Sequence, residues 1–249
     1  MLIIKRLPIL CLFIAINYSI WAQSISFFGA LPAINLTARL TEKCNFNMFA
    51  STTIDAFTRE IDGINYPSSD LQLYLQPSIV YNPTKQINFS FSYTYQRNNP
   101  FRTIFVNEHR LWQQAMFIKN LNKGKLTNRF RFEERFIENK LTEHYPLSTR
   151  LRYQIGYTVP LKRKQKETSK IYFNTYNEFY FSMSGQKNAF YSENWSYAGV
   201  GFNLSHYNKI ELGYLFQIFV RNPAKNLRFL NLMQVTWIKN FNGLLPRTK

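Results

Sequence analysis

The sequence is short of cysteine, of glycine and of long apolar runs, and each shortage excludes a class of protein. Two cysteines in 249 residues cannot build a disulfide scaffold. Nine glycines exclude collagen-like and glycine-rich low-complexity chains. After residue 23 no apolar stretch approaches the roughly 18 residues that indicate a transmembrane helix, so a helical membrane protein is excluded.

Acidic residues are also scarce, whereas aromatic residues are abundant. Asp and Glu number 14 against 31 Lys and Arg, so the formal charge is +17. The chain carries 23 Phe and 16 Tyr, which excludes a disordered protein, yet its mean hydropathy is only −0.29. A soluble core rarely needs so many large aromatic rings. We therefore expect much of this aromatic surface to lie outside a core.

The first residues have the pattern of a secretory signal peptide. Lys5 and Arg6 precede the apolar run Leu7–Ile20, and Ala22 is a plausible cleavage residue. The alternative is an uncleaved anchor, but the run is short for the roughly 20 residues of a spanning helix. We predict a signal peptide over residues 1–22 and a single exported β-barrel domain over 23–249. Cys44 would then be the one cysteine left, with no internal disulfide partner.

Alternation of apolar and polar residues is the dominant signal in the rest of the chain. Between Gln86 and Gln96, Ile and aromatic residues occupy every second position and polar residues occupy the others. Successive side chains of a strand point to opposite faces, so such a segment has one apolar and one polar face. Arg150–Val159 and Lys209–Val220 repeat the pattern. Strands are predicted near residues 33–41, 45–57, 70–81, 86–97, 102–119, 126–138, 149–160, 170–183, 194–205, 209–221 and 227–241.

These strands predict an all-β fold, an antiparallel up-and-down transmembrane β-barrel. The predicted strands are longer than those of most soluble sheets, and short and long links largely alternate, as periplasmic turns and external loops do. A further strand over Ser24–Leu31 would give about twelve, with both termini in the periplasm, and ten remains possible. The alternative is a soluble β-sandwich or a lipocalin-like barrel, in which the apolar face points inward.

Charged residues recur on the polar faces of the later strands. In a closed membrane barrel these faces point to the lumen, where unpaired charges are costly, so we expect Arg and Glu to pair across strands. The predicted lumen charge network comprises Glu108, Arg110, Arg129, Arg131, Glu133, Arg135, Arg150, Arg152, Glu178 and Glu211.

The charge network has two interpretations. It could plug a narrow barrel and hold its strands in register, or it could line a channel or a site for an anionic ligand. We favour the plug, because long Arg side chains can close a barrel of ten or twelve strands. Glu134 departs from the pattern because it falls on the Phe face, which requires a bulge or a position near a membrane interface.

Signals of catalysis are faint. His109 neighbours Glu108, but adjacent strand residues point to opposite faces, while His144 falls in a predicted loop and His206 at a strand end. Metal-ligand clusters, phosphate-loop glycines and a nucleophile elbow are absent from the sequence. We therefore predict no catalytic residue, cofactor or metal. The basic run over 162–166 is interpreted as a solvated loop.

Several short segments resemble the domain-of-unknown-function 2490 (DUF2490) family, exported bacterial proteins common in Bacteroidota-like genomes. The resemblance covers roughly residues 34–238. Its strongest pieces are Asn107–Gln114, Asn128–Phe136, Arg150–Tyr153, Asn177–Phe179, Gly199–Leu204 and Glu211–Gln217. The resemblance implies an outer-membrane β-barrel and supplies no biochemical activity and no catalytic residues. Trp195 is a departure, since the family pattern has Arg there.

The favoured hypothesis is an integral outer-membrane β-barrel that is structural or forms a narrow pore with an Arg/Glu lumen. The alternatives are an outer-membrane enzyme acting on lipid or lipopolysaccharide, and a soluble periplasmic β-sheet binding protein. The expected partners are outer-membrane lipid, lipopolysaccharide and the barrel-assembly machinery. Nucleic acid is not an expected partner of an exported protein, despite the basic charge.

Overall fold

The computed structural model describes residues 25–61, 64–161, 170–185, 189–220 and 227–241. The predicted signal peptide and the basic run lie outside the described residues. The strands found in the described residues are β1 Ile25–Arg39, β2 Cys44–Asp55, β3 Arg59–Ile61, β4 Ile64–Tyr66, β5 Ser69–Tyr81, β6 Ile87–Asn98, β7 Val106–Asn120, β8 Lys125–Ile137, β9 Leu147–Leu161, β10 Ile171–Ser184, β11 Tyr191–Asn203, β12 Asn208–Val220 and β13 Leu227–Phe241.

Eleven of these described strands close a barrel, while β3 and β4 pair only with each other. The all-β prediction is confirmed, but the predicted count of twelve is wrong. Two segments were expected to be separate strands, Ser24–Leu31 and residues 33–41, but their described parts belong to the single strand β1, Ile25–Arg39. Pro32 lies between them, and proline has no N–H for the ladder. In the structure the β1–β2 ladder is interrupted at Leu31 and Pro32 but resumes in the same register.

The odd strand number determines how the barrel closes. Sequential neighbours in the barrel pair antiparallel, so with eleven strands the first and last must run in the same direction. β1 and β13 do pair in parallel, from Ile25 with Arg228 to Ala38 with Phe241. The purely antiparallel prediction is therefore wrong at this one pair. The start of β1 and the end of β13 therefore lie at opposite ends of the barrel, whereas an even number of strands would place them at the same end.

Most of the links that the structure describes sort by length between the two ends of the barrel. The short turns 40–43, 82–86, 121–124 and 204–207 lie at the end that we call the short-turn end. The links 56–68, 99–105 and 138–146 lie at the opposite end, which we call the long-loop end. The first of these long links contains the β3–β4 hairpin.

Alternation along each strand sets the two faces of the wall. On β6, Phe89 and Phe91 are outward and exposed, while their neighbours Ser90 and Ser92 are inward and buried. This is the reverse of a soluble barrel, whose inward face is apolar. The period of two in the sequence thus produces a wall with a polar inner face and an aromatic outer face.

One side of the interior is apolar rather than charged. Buried aliphatic and aromatic residues of β1, β11, β12 and β13 form a cluster there. Its members are Leu31, Ala33, Tyr197, Leu215, Leu230 and Leu232. The Tyr197 ring lies against Gly199 and Gly213, where an added Cβ would approach it closer than 3.0 Å. Glycine at these positions leaves room for the ring to lie flat along the wall.

Candidate functional site in the barrel lumen

The opposite side of the interior is lined by charged side chains from β7 to β11. These side chains alternate along each strand with outward apolar residues. Because a strand has a period of two, they all lie on the same inward face. The register sets Glu133 opposite Arg150 and Arg131 opposite Arg152. We call this set the charge ladder; its members are Glu108, Arg110, Arg129, Arg131, Glu133, Arg135, Arg150, Arg152, Glu178 and Glu193.

Glu133 is the centre of the charge ladder and its side chain is fully buried. Its carboxylate lies 2.6 Å from Nη2 of Arg150 and 2.7 Å from Nη1 of Arg152. Arg131 is a more distant third partner, with 3.8 Å between Nη1 and Oε1. The Glu133 carboxylate of β8 is thereby bound to both arginines of the neighbouring strand β9.

Glu108 forms a second centre nearer the long-loop end. Arg135 donates to both of its carboxylate oxygens, from Nε at 2.6 Å and from Nη2 at 3.0 Å. Arg110 donates to the same carboxylate from Nε at 2.5 Å and also reaches the amide oxygen of Gln96. Such two-pronged contacts fix both the position and the orientation of the guanidinium.

Glu178 forms a third centre, which Arg152 connects to the first centre at Glu133. Its Oε1 accepts hydrogen bonds from Arg129 Nη2 at 2.6 Å and from Arg152 Nε at 2.8 Å. Arg152 therefore bridges Glu133 and Glu178. The Tyr180 hydroxyl donates to the other oxygen of Glu178 at 3.2 Å.

Glu193 completes the charge ladder, and the sequence analysis missed it. Its carboxylate lies 2.6 Å from Nη1 of Arg150. The predicted strand began at residue 194, so Glu193 was assigned to a loop, whereas β11 begins at Tyr191. Its spacing of two from Trp195 is the signal that could have placed it on the inward face.

Glu211 faces inward but is separate from the charge ladder. It accepts a hydrogen bond from the Tyr197 hydroxyl at 2.7 Å and lies 3.3 Å from the side-chain amide of Asn174. Within the described part of the chain its contacts are hydroxyl and amide donors rather than an Arg. The predicted network thus divides into nine residues brought together and one held apart.

Aromatic rings occupy the spaces between the guanidinium groups. The Arg131 Cζ lies 3.8 Å from the centre of the Trp112 ring, and Arg150 and Arg152 lie 4.8 and 4.3 Å from that of Tyr180. Trp112 and Tyr180 are buried. The quadrupole of each ring offers its negative face to the cations, which offsets part of the repulsion among the arginines.

A cavity of about 880 Å³ runs along the lumen. It is lined by Asn88, next to the short-turn end of β6, and by Asn98, at the long-loop end of the same strand. Most of the charge ladder lines it as well, including Arg110, Arg129 and Arg152. The ladder is therefore one wall of an open space and does not fill the interior.

The remaining candidate residues lie elsewhere. His109 points outward, away from Glu108, and its Nδ1 lies 2.5 Å from the Tyr93 hydroxyl. His144 and His206 lie in links between strands. Glu134 is on the outer face three residues before the end of β8, with no register shift there, so its position near a rim accounts for it.

The described residues contain neither a helix suited to a membrane nor a cluster suited to a metal ion. No helix there is long and apolar enough to cross a membrane. No group of three or more His, Cys, Asp or Glu side chains there could hold a metal ion.

Fold and lumen together define a closed β-barrel whose interior is charged on one side and apolar on the other. The chain belongs to the family described as protein of unknown function (DUF2490), whose family model matches residues 30–228. This confirms the resemblance found in the sequence. No curated protein and no solved structure matches the chain.

Proposed function

We propose that this protein is an integral outer-membrane β-barrel whose lumen is a narrow pore for small polar solutes. The observation that carries the proposal is the cavity that extends from Asn88 to Asn98 along a polar, charged interior. The sequence favoured a plugged lumen. The open cavity beside the charge ladder favours the pore.

The outer surface supports a membrane location. Phe91 is 54% exposed and Phe89 is 47% exposed, whereas Thr94 on the inner face is fully buried. In water these rings would be a large unfavourable surface, but in a bilayer they face hydrocarbon. The barrel strands have 12 to 15 residues, which is enough for the roughly 9 to 11 that cross a bilayer at a tilt.

The predicted export signal supports the same location, since it would deliver the chain to the periplasm for assembly into the outer membrane. The partners that follow from this proposal are outer-membrane lipid, lipopolysaccharide and the barrel-assembly machinery. Basic groups at the rims match the anionic head groups of these lipids.

Membrane location is tested by fractionation and by heat-modifiable migration of the folded protein on gels. A substitution on the outer face, Phe91→Arg, should reduce stability in lipid by about 2 to 4 kcal/mol. Phe101→Arg is the matched control, because Phe101 is in a link and already 81% exposed. Recovery of folded wild-type protein from the soluble periplasm would overturn the membrane proposal.

The pore is tested by conductance of the purified protein in a planar bilayer, where discrete steps are expected. Ser90→Trp places a large ring in the cavity and should reduce the step size, because Ser90 lines the lumen. Phe89→Trp is its control, since the neighbouring residue points outward. Folded barrels that insert without conductance steps would refute the pore and leave a structural barrel.

A further inference from the structure

We infer that the lumen contains a binding site for a small oxyanion, of the phosphate or carboxylate class, between Arg129 and Trp195. This inference deepens the proposed function, because it names the class of solute that the lumen holds.

The charge ladder is not neutral. Among the described residues it contains six arginines and only four glutamates, an excess of two positive charges. Uncompensated charge in a confined interior is costly, and a counter-ion of opposite sign lowers that cost. The ladder as a whole therefore favours an anion over a cation in the adjoining cavity.

The excess is greatest around Arg131. Arg131 forms an ion pair with Glu133, but the two groups are 3.8 Å apart. The Glu133 carboxylate lies closer to Arg150 and Arg152. The Arg131 guanidinium instead donates to the neutral amide oxygen of Gln114, at 3.1 and 2.9 Å. Arg129 lies two residues earlier on the same inward face of β8, so its field adds to that of Arg131.

Two buried donors beside this region have no acceptor among the residues that the structure describes. They are Nε of Arg129 and Nε1 of Trp195. Both residues line the cavity. Both residues are neighbours of Glu178: Arg129 donates to its carboxylate through Nη2 at 2.6 Å, and Trp195 is its cross-strand partner in the β10–β11 register.

Glu178 orients the site without satisfying it. The Glu178 carboxylate accepts hydrogen bonds from Nη2 of Arg129 and Nε of Arg152. Nε of Arg129 is therefore left to donate to a bound ligand. A buried N–H without an acceptor is unfavourable, and a bond from a cationic donor to an anionic oxygen is stronger than a neutral one. An oxyanion provides both acceptor oxygens and negative charge. It would therefore accept from the two unpartnered N–H donors and also offset the excess positive charge of the charge ladder.

The site is tested by calorimetric titration of inorganic phosphate into the detergent-solubilised full-length protein, with acetate titrated as a carboxylate probe. Saturable binding at one site per barrel is expected for at least one of the two anions. Arg129→Gln should weaken it by about 10-fold to 100-fold, the range for a hydrogen bond to a charged group. Trp195→Phe keeps the ring and removes only the N–H, and should weaken it by about tenfold.

Arg102→Gln is the matched control. It removes the same charge from a link at the long-loop end, where Arg102 bonds Ser69 at 3.0 Å, and should leave the affinity unchanged. Heat-modifiable migration of each variant shows that it is folded. If a lumen variant fails to fold, protection of wild-type Trp fluorescence against a quencher by phosphate or acetate supplies the second measurement.

The outcomes separate this inference from the pore. Absence of saturable binding by either anion to a folded, conducting barrel overturns the site and leaves the pore. Equal weakening by Arg129→Gln and Arg102→Gln also overturns it, because binding would then follow net charge rather than position. Saturable, Arg129-dependent binding to a barrel that does not conduct supports the site and refutes the pore.

Discussion

Glu133→Gln tests the residue at the centre of the charge ladder, where one carboxylate pairs with three arginines. The substitution keeps the shape of the side chain and removes its charge at a fully buried position. Arg150 and Arg152 each keep a second carboxylate, at Glu193 and Glu178, but Arg131 loses its one ion pair within the described residues. Breaking a buried pair costs about 3 to 5 kcal/mol, and these second partners place the expected loss at about 3 kcal/mol.

The measurement is a urea titration of the barrel in detergent, followed by tryptophan fluorescence. With a slope of about 2 kcal/mol per molar, a loss of about 3 kcal/mol lowers the midpoint by about 1.5 M. A second variant that adds Arg131→Met should recover part of the loss, because it removes the uncompensated cation and keeps contact with Trp112. A midpoint that stays within about 0.5 M of wild type would refute the account of Glu133 as the centre of the charge ladder.

Glu138→Gln is the control for this experiment. Glu138 accepts a hydrogen bond from Lys140 at 2.6 Å and one from the backbone N–H of Asn107 at 2.9 Å, both at the long-loop end. The bond from Lys140 lowers the pKa of the Glu138 carboxyl. Because this pair is open to solvent, which screens it, we expect no measurable shift of the midpoint.

Three further substitutions test individual contacts by the same urea titration. Gly213→Ala should cost about 1 to 3 kcal/mol, since the new Cβ meets the buried Tyr197 ring, and a neutral result would show that the ring is free to move. Tyr197→Phe should cost about 1.5 to 3 kcal/mol by removing the hydroxyl that donates to Glu211 at 2.7 Å. Thr94→Val should cost about 1 to 3 kcal/mol, because it removes the acceptor of the Trp112 N–H at 3.0 Å and leaves a buried donor unpaired.

Tyr214→Phe is the matched control for the hydroxyl deletion at Tyr197. Tyr214 also donates to a side chain, Asn231, at 2.5 Å, but on the exposed outer face. Its loss should be smaller than that of Tyr197→Phe. Equal losses would contradict the idea that the charge on Glu211 makes the inner hydroxyl important.

Much of the wall could be predicted from the sequence, because a strand has a strict period of two. The alternation around Phe89 and Phe91 places polar residues on one face, and the same period places Glu108 and Arg131 there. Closure could not be predicted in this way. The period says which face a residue occupies, but it carries no information on which strand pairs with which, or in which direction.

The errors have specific physical causes. The segments before and after Pro32 were counted as two strands, but the pairing of β1 with β13 continues across Pro32, so a missing donor interrupts one ladder without ending the strand. Glu193 was missed because the end of a strand is fixed by its partners, not by its own pattern. The cavity was also beyond the sequence, since the volume of a lumen depends on strand number and on how the side chains of opposite walls meet.

The parallel pairing of β1 with β13 has a consequence for the order of assembly. Every other pairing in the described barrel joins two barrel strands that follow one another along the chain. This pairing instead joins the first barrel strand to the last, with Ile25 opposite Arg228. Bringing such distant segments together carries a loop-closure cost of about 4.7 kcal/mol from (3/2)RT ln n alone. Until the last strand has been synthesised and placed, β1 has an open edge with unpaired backbone groups. A chain truncated before residue 227 should therefore form an open sheet whose exposed edge strand is prone to aggregation. The cell must protect that edge from other chains for as long as the barrel is incomplete.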